Sequence, residues 1–256
     1  AIIWTADFVA VAFTAIRLYI RGSVTKKFHW DDAVHILAMV CMIIQSAIYS
    51  GGRSLEKSVE SYLAKETLVA PNFTLFLRLN IASTVITFTC YWAVKLSIML
   101  FYRMLFWVYD TFMKAWWTVL CFTFATYWVV IATALVQCDG NGLELTSIAA
   151  CSSAQSSILD KKIYKISVVM NVASDLAIMA LPLVMISRMH IRTTQKLGVA
   201  LIFCLSFIVV AFEIVRFFKS FGSSGIALHI IWTSVEASIA VIISCLPTFN
   251  ILFRNR

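Results

Sequence analysis

Leu79–Tyr102 reads LNIASTVITFTCYWAVKLSIMLFY and carries a single charge, Lys95. As a helix rising 1.5 Å per residue it would extend about 36 Å, enough to cross the ~30 Å of bilayer hydrocarbon. Its polar residues are ordered: Asn80, Thr84, Thr87, Tyr91 and Lys95 recur at three- or four-residue spacing along one helical face. A span built this way turns its polar stripe toward other helices and its apolar face toward lipid.

Six further segments of the same kind flank it. The predicted helices run approximately over 1–20, 31–50, 79–102, 115–137, 163–187, 197–218 and 229–252. Composition agrees, with 61% hydrophobic and only 13% charged residues in 256 and a mean hydropathy of +0.88. Soluble domains carry about 25% charged residues, so a soluble enzyme, a disordered chain and a disulfide-stapled secreted module are excluded. Eight glycines and three prolines are too few for a loop-rich β protein. The fold class is all-α: a single polytopic seven-helix bundle over residues 1–256, with the lipid bilayer as its solvent. The chain opens inside its first predicted helix and stops just past its seventh, so it reads as a membrane domain whose N- and C-terminal tails lie outside it.

The net charge of +8 is explained by topology rather than by nucleic acid, for which there is no basic face and no motif. Arg21, Lys26, Lys27, Arg103, Lys114, Arg188, Arg192, Lys196, Arg254 and Arg256 gather on one side, against Asp31, Asp32 and Asp110. The opposite side is nearly balanced. The basic side is expected to be cytoplasmic, which puts the N-terminus outside and the C-terminus inside. Loops 51–78 and 138–162 then lie outside. The first holds the sequon Asn72-Phe73-Thr74, a candidate glycosylation site, and an amphipathic stretch, Ser54–Lys65, that reads as a solvated loop helix, with a short helix lying along the membrane surface as the alternative. Of seven cysteines, Cys41, Cys90, Cys121, Cys204 and Cys245 fall inside helices, while Cys138 and Cys151 share the second outer loop. A disulfide between those two is the economical pairing.

Ionisable residues inside spans are the informative ones, because each costs at least ~2.5–3.5 kcal/mol at the bilayer centre unless it is sheltered. Asp7, Lys95, Asp175, Glu213, Arg216 and Glu236 are of this kind. Arg17 reads as a residue that snorkels to headgroups beside Arg21. With Tyr91, Asn171 and Trp232 at helical spacing to them, the buried charges describe a polar cavity that opens outward and binds a small ligand. In this reading Arg216 is the counter-ion of Glu213 or Glu236, and Lys95 that of Asp175. The alternative is a set of polar ties between helices, worth ~0.6 kcal/mol each. No metal is expected: His29, His35, His190 and His229 lie near helix ends on both sides. No cofactor is expected either, and retinal is excluded because helix 7 has no lysine.

Several of these residues form patterns that resemble the fungal seven-helix rhodopsin-like domain, a family that includes receptors implicated in surface sensing. They are Arg17-x-x-x-Arg21 with Trp30-Asp31-Asp32; Lys95-Leu96-Ser97 through Tyr102-Arg103; Asn171-x-x-x-Asp175 with Leu181-Pro182; Arg216; and Trp232-x-x-x-Glu236 with Cys245-Leu246-Pro247. The resemblance implies a receptor-like integral membrane protein. Asp31 and Asp32 suit the positive end of the helix 2 dipole and lie beside Arg17 and Arg21, so an inner-face ion cluster that locks helix 1 to helix 2 is expected as a second role for Arg17. Tyr102-Arg103 sits where a cytoplasmic signalling partner could couple or an interfacial anchor could lie. The functional expectation is a receptor for a small amphipathic or apolar ligand, placed in the plasma membrane with an internal membrane as the alternative. The competing class is a membrane-embedded enzyme acting on a lipophilic substrate, for example in secondary-metabolite biosynthesis, with Asp175, Glu213 or Glu236 as acid or base.

Overall fold

The structure is a computed structural model that describes residues 2–25, 28–63, 72–136, 154–188, 207–217 and 226–254. Among the described residues there is no strand. The elements are α1 (Ile2–Ile20) with a π-helical turn at Arg21–Thr25, α2 (Trp30–Leu63), α3 (Phe73–Phe106), α4 (Asp110–Val136), α5 (Ala154–Arg188), α6 (207–217) and α7 (Ile226–Arg254). All of these except α6 are long and apolar enough to cross a membrane. The chain is therefore a multi-pass membrane protein. Of the sixth predicted span, 197–218, only 207–217 is described, and it is helical.

Local chemistry fixes several helix starts. Asp32 closes the first turn of α2: its N–H donates to the His29 carbonyl, and its Oδ2 accepts from the His29 N–H at 3.3 Å. Asp31 and Asp32 together place two carboxylates at the positive end of that helix dipole. Asn72 caps α3, its Oδ1 accepting from the Leu75 N–H at 3.1 Å. The sequon thus occupies the first turn of a helix, with Asn72 exposed.

The α2 boundary departs from expectation. The crossing predicted over 31–50 and the separate helix predicted from Ser54, as far as Leu63 where the described residues end, are one continuous 34-residue helix. Its tail stays helical because Val59 is buried, 2% exposed, against the bundle. A helix of that length is about 50 Å long, so it projects well beyond a bilayer core. Its antiparallel neighbour α3 is equally long, and the two pack along each other.

α3 is the hub: it packs on α2, α4, α5 and α7. Cys90, Val94, Ile98, Met99 and Phe106 of α3 sit in the main core, joined by Met42, Phe112, Trp116, Ile178 and Val241 from its neighbours. Trp116 Nε1 donates to the Met99 carbonyl at 2.8 Å and pins α4 to α3. α7 approaches α1 through small buried residues, Ser234, Ala237, Ser238 and Ser244, opposite Ala10 and Thr14. Phe8 and Tyr19 of α1 and Trp117, Phe124 and Trp128 of α4 are exposed, as lipid-facing side chains should be.

Candidate functional site

Helices α3, α5, α6 and α7 bring most of the intramembrane charge into one connected chain. Lys95 Nζ of α3 lies 3.2 Å from Asp175 Oδ1 of α5. It also donates to Asn171 Oδ1 at 2.6 Å and Ser174 Oγ at 2.7 Å. Asn171 continues the chain, its Nδ2 donating to Glu213 Oε1 of α6 at 2.7 Å. Arg216 Nε then lies 2.7 Å from Glu236 Oε2 of α7, with its Nη2 4.0 Å from Glu213 Oε1. Tyr91 faces Glu236, and its hydroxyl donates to the Thr233 carbonyl at 3.4 Å. Each ion pair drawn from the sequence is formed.

Depth and burial explain why the chain is continuous. Glu213 is 0% and Glu236 2% exposed, and a buried charge without partners costs several kcal/mol. One Lys and one Arg shared among three carboxylates, with an amide between them, spreads the compensation over four helices. Beside it lies a cavity of about 50 Å³, lined at its polar end by Tyr91, Lys95, Asn171, Asp175 and Glu236. Val94, Ile98, Ile178, Met179, Ala240, Ile243 and, from α6, Val209 line the rest.

Two residues expected in this site lie elsewhere. Asp7 is buried on α1, where its Oδ1 accepts from Ser238 Oγ at 2.8 Å; it belongs to the α1–α7 contact and does not line the cavity. Trp232 packs on Phe212 of α6, ring centres 6.0 Å apart, one turn from Glu236.

A second centre ties α1 to α2. Arg17 Nη2 lies 2.9 Å and Arg21 Nη2 2.7 Å from the same Asp31 Oδ2. Arg17 Nε donates to Asp32 Oδ1 at 3.2 Å. Arg17 Nη1 also donates to the Ser244 carbonyl of α7, and Ser97 Oγ of α3 donates to the Asp31 carbonyl at 3.0 Å. All four charged side chains are at most 3% exposed. Arg17 therefore does not snorkel: three acceptors inside the bundle match its planar fork better than headgroups at the rim would. His29, Asp31 and Asp32 lie at metal-ligand spacing, but two guanidiniums already pair with both carboxylates and would repel a divalent ion.

His35 of α2 was missed by the sequence reading. It is fully buried, its Nδ1 2.8 Å from Ser244 Oγ and its Nε2 3.0 Å from Thr14 Oγ1 and 3.3 Å from Cys245 Sγ. The available signal was its position one helical turn after Asp31. Tyr102 is also a core residue, 2% exposed, whereas Arg103 is exposed and holds its guanidinium 5.3 Å from the Trp116 ring centre. Cys138 and Cys151 lie outside the described residues. The described cysteines Cys41, Cys90, Cys121 and Cys245 are free.

No curated protein and no solved structure matches the chain. A family model does: the fungal rhodopsin domain matches residues 16–255. That span takes in both arginines of the ion cluster, the whole Lys95–Glu236 chain and α7, and the chain belongs to the fungal rhodopsin domain family.

Proposed function

We propose that this receptor-like membrane protein senses a small amphipathic or apolar ligand through the cavity beside Lys95, Asp175 and Glu236. The observation that carries the reading is that one polar chain and one cavity join α3, α5, α6 and α7. A ligand that alters any of these contacts changes the relative energy of two helix arrangements, which is what a sensing bundle requires. The same carboxylates are engaged as partners of Lys95 and Arg216, which suits binding and switching better than acid–base turnover. The basic loops would face the cytoplasm and its signalling partner, with the N-terminus outside in a plasma membrane. The Arg17–Asp31 cluster would anchor α1 to α2, its burial leaving Arg103 as the coupling candidate.

The test uses purified protein in lipid nanodiscs and a panel of short fatty acids, alcohols, amines and alkanes. Sensing requires that at least one of them raise the melting temperature saturably. The same compound should change the distance between spin labels at residues 104 and 188, at the ends of α3 and α5. A panel that leaves both readouts unmoved sinks the reading.

A further inference from the structure

Hydrogen-bond valences around the cavity are unequal. Lys95 has three N–H bonds to give. Its Nζ already lies within reach of four acceptors, Asn171 Oδ1, Ser174 Oγ, the Asn171 carbonyl at 3.0 Å and Asp175 Oδ1. No donor remains there for an incoming group. Arg216, the other cation, is turned toward Glu236 and Glu213.

Acceptors, by contrast, are in surplus. Asp175 meets Lys95 through Oδ1 only, and its side chain keeps 16% of its surface exposed on the cavity wall. The other carboxylates run the same way. Asp175, Glu213 and Glu236 face two cationic side chains, and Glu213 Oε2 makes no hydrogen bond. Three carboxylates therefore offer more acceptor positions than these two cations fill. A carboxylate or phosphate brought to this wall would face Asp175 and a Lys95 ammonium whose three N–H bonds are already directed at protein acceptors.

From this geometry we infer that the cavity takes the cationic head of an amphipathic amine, an aliphatic ammonium set against Asp175 with a short carbon chain among Val94, Ile98, Ile178 and Ala240. This rests on the sensing role proposed for the cavity and specifies the class of ligand. An ammonium supplies donors where acceptors wait, beginning with Asp175 on the cavity wall. The apolar wall takes the chain, and the small volume favours a short one.

The experiment compares n-butylamine hydrochloride, sodium butyrate and n-butanol on the purified protein in nanodiscs at matched ionic strength, read by melting temperature. Butylamine should raise it saturably, and butyrate and butanol should not. Asp175→Asn should weaken the apparent butylamine affinity roughly ten- to hundredfold, the range for losing a hydrogen bond to a charged group. Since that variant also strands Lys95, Ala240→Leu serves as a second one, filling the apolar end without touching a charge; it should abolish the butylamine shift. A butyrate or butanol shift equal to or larger than that of butylamine overturns the amine assignment while leaving the sensing role intact. So does a butylamine shift that survives Ala240→Leu. If butylamine fails while other members of the wider panel bind, the amine assignment falls alone. If nothing in either set binds, both readings fall.

Discussion

Arg216 Nε and Glu236 Oε2 meet 2.7 Å apart across the α6–α7 contact, with 6% and 2% of their residues' surfaces exposed. Removing one member of such a pair strands the other in a medium that solvates charge poorly. Arg216→Ala is expected to destabilise the bundle by roughly 3–5 kcal/mol. Arg216→Ala combined with Glu236→Gln should recover part of that, because the stranded charge is gone. Thermal melts in detergent decide it, and strictly additive losses would reject the coupling.

The Arg17 cluster makes a sharper demand, on shape as well as charge. Arg17 serves Asp31, Asp32 and the Ser244 carbonyl at once, through three different nitrogens. A lysine keeps the charge but cannot spread three fixed N–H directions over α2 and α7. Arg17→Lys should therefore lose most of what Arg17→Ala loses, on the order of 3 kcal/mol. If Arg17→Lys melts like the unmutated protein, the guanidinium geometry is not what holds α1.

Six of the seven expected spans and the Arg216 and Lys95 partnerships were legible because each depends on one strong term. Apolar length identifies a crossing, and a buried charge must have a counter-ion. Of the two roles read for Arg17 the ion cluster formed and snorkelling did not, because snorkelling was inferred from depth along the helix without asking which face the residue shares. Asp7, Ala10, Thr14, Arg17 and Ile20 are the buried residues of α1, spaced three and four apart, while Phe8, Ile16 and Tyr19 face outward. In a membrane the inward stripe is the polar one, and Arg17 lies on it. The α2 extension was hidden for a different reason. Gly51-Gly52-Arg53-Ser54 has the composition of a loop, and packing of α2 along α3 overrides that local preference.

Those glycines give a stabilising prediction. A Cβ on Gly51 would meet nothing within 4 Å, and one on Gly52 would touch only Leu79 Cδ1 at 3.8 Å. Neither glycine is needed for a close approach, and both lie inside a helix, where glycine costs ~0.5–1 kcal/mol relative to alanine. Gly51→Ala and Gly52→Ala should each raise stability by about that amount, seen as a higher melting temperature. A loss instead would mean that the helix bends or opens at this point in the working protein.

Cys138 and Cys151 lie in the stretch of sequence between α4 and α5, which the orientation proposal puts on the oxidising side of the membrane. Peptide mapping under non-reducing conditions should recover them linked. Recovery of both as free thiols would dismiss the bond, and with it one reason for placing that stretch outside.

Orientation has its own direct test, because the two ends of the bundle differ in loop charge. The end carrying residues 188–196 has Arg188, Arg192 and Lys196 with no acidic residue among them, whereas the α2 extension mixes Arg53 and Lys57 with Glu56 and Glu60. Lys and Arg near span ends are retained on the cytoplasmic side, while mixed loops cross more readily. Lys57 is exposed on the projecting part of α2, so Lys57→Cys presents an accessible thiol. A membrane-impermeant maleimide added to intact cells should label Lys57→Cys and leave Arg192→Cys untouched until the membrane is permeabilised. Endogenous thiols are controlled by labelling the unmutated protein in parallel. The reverse pattern would invert the bundle, bringing the N-terminus and the Asn72 sequon to the cytoplasm. In that arrangement Asn72 could not be glycosylated, so a mobility shift on Asn72→Gln would contradict the reversed labelling and expose an artefact in one of the two measurements.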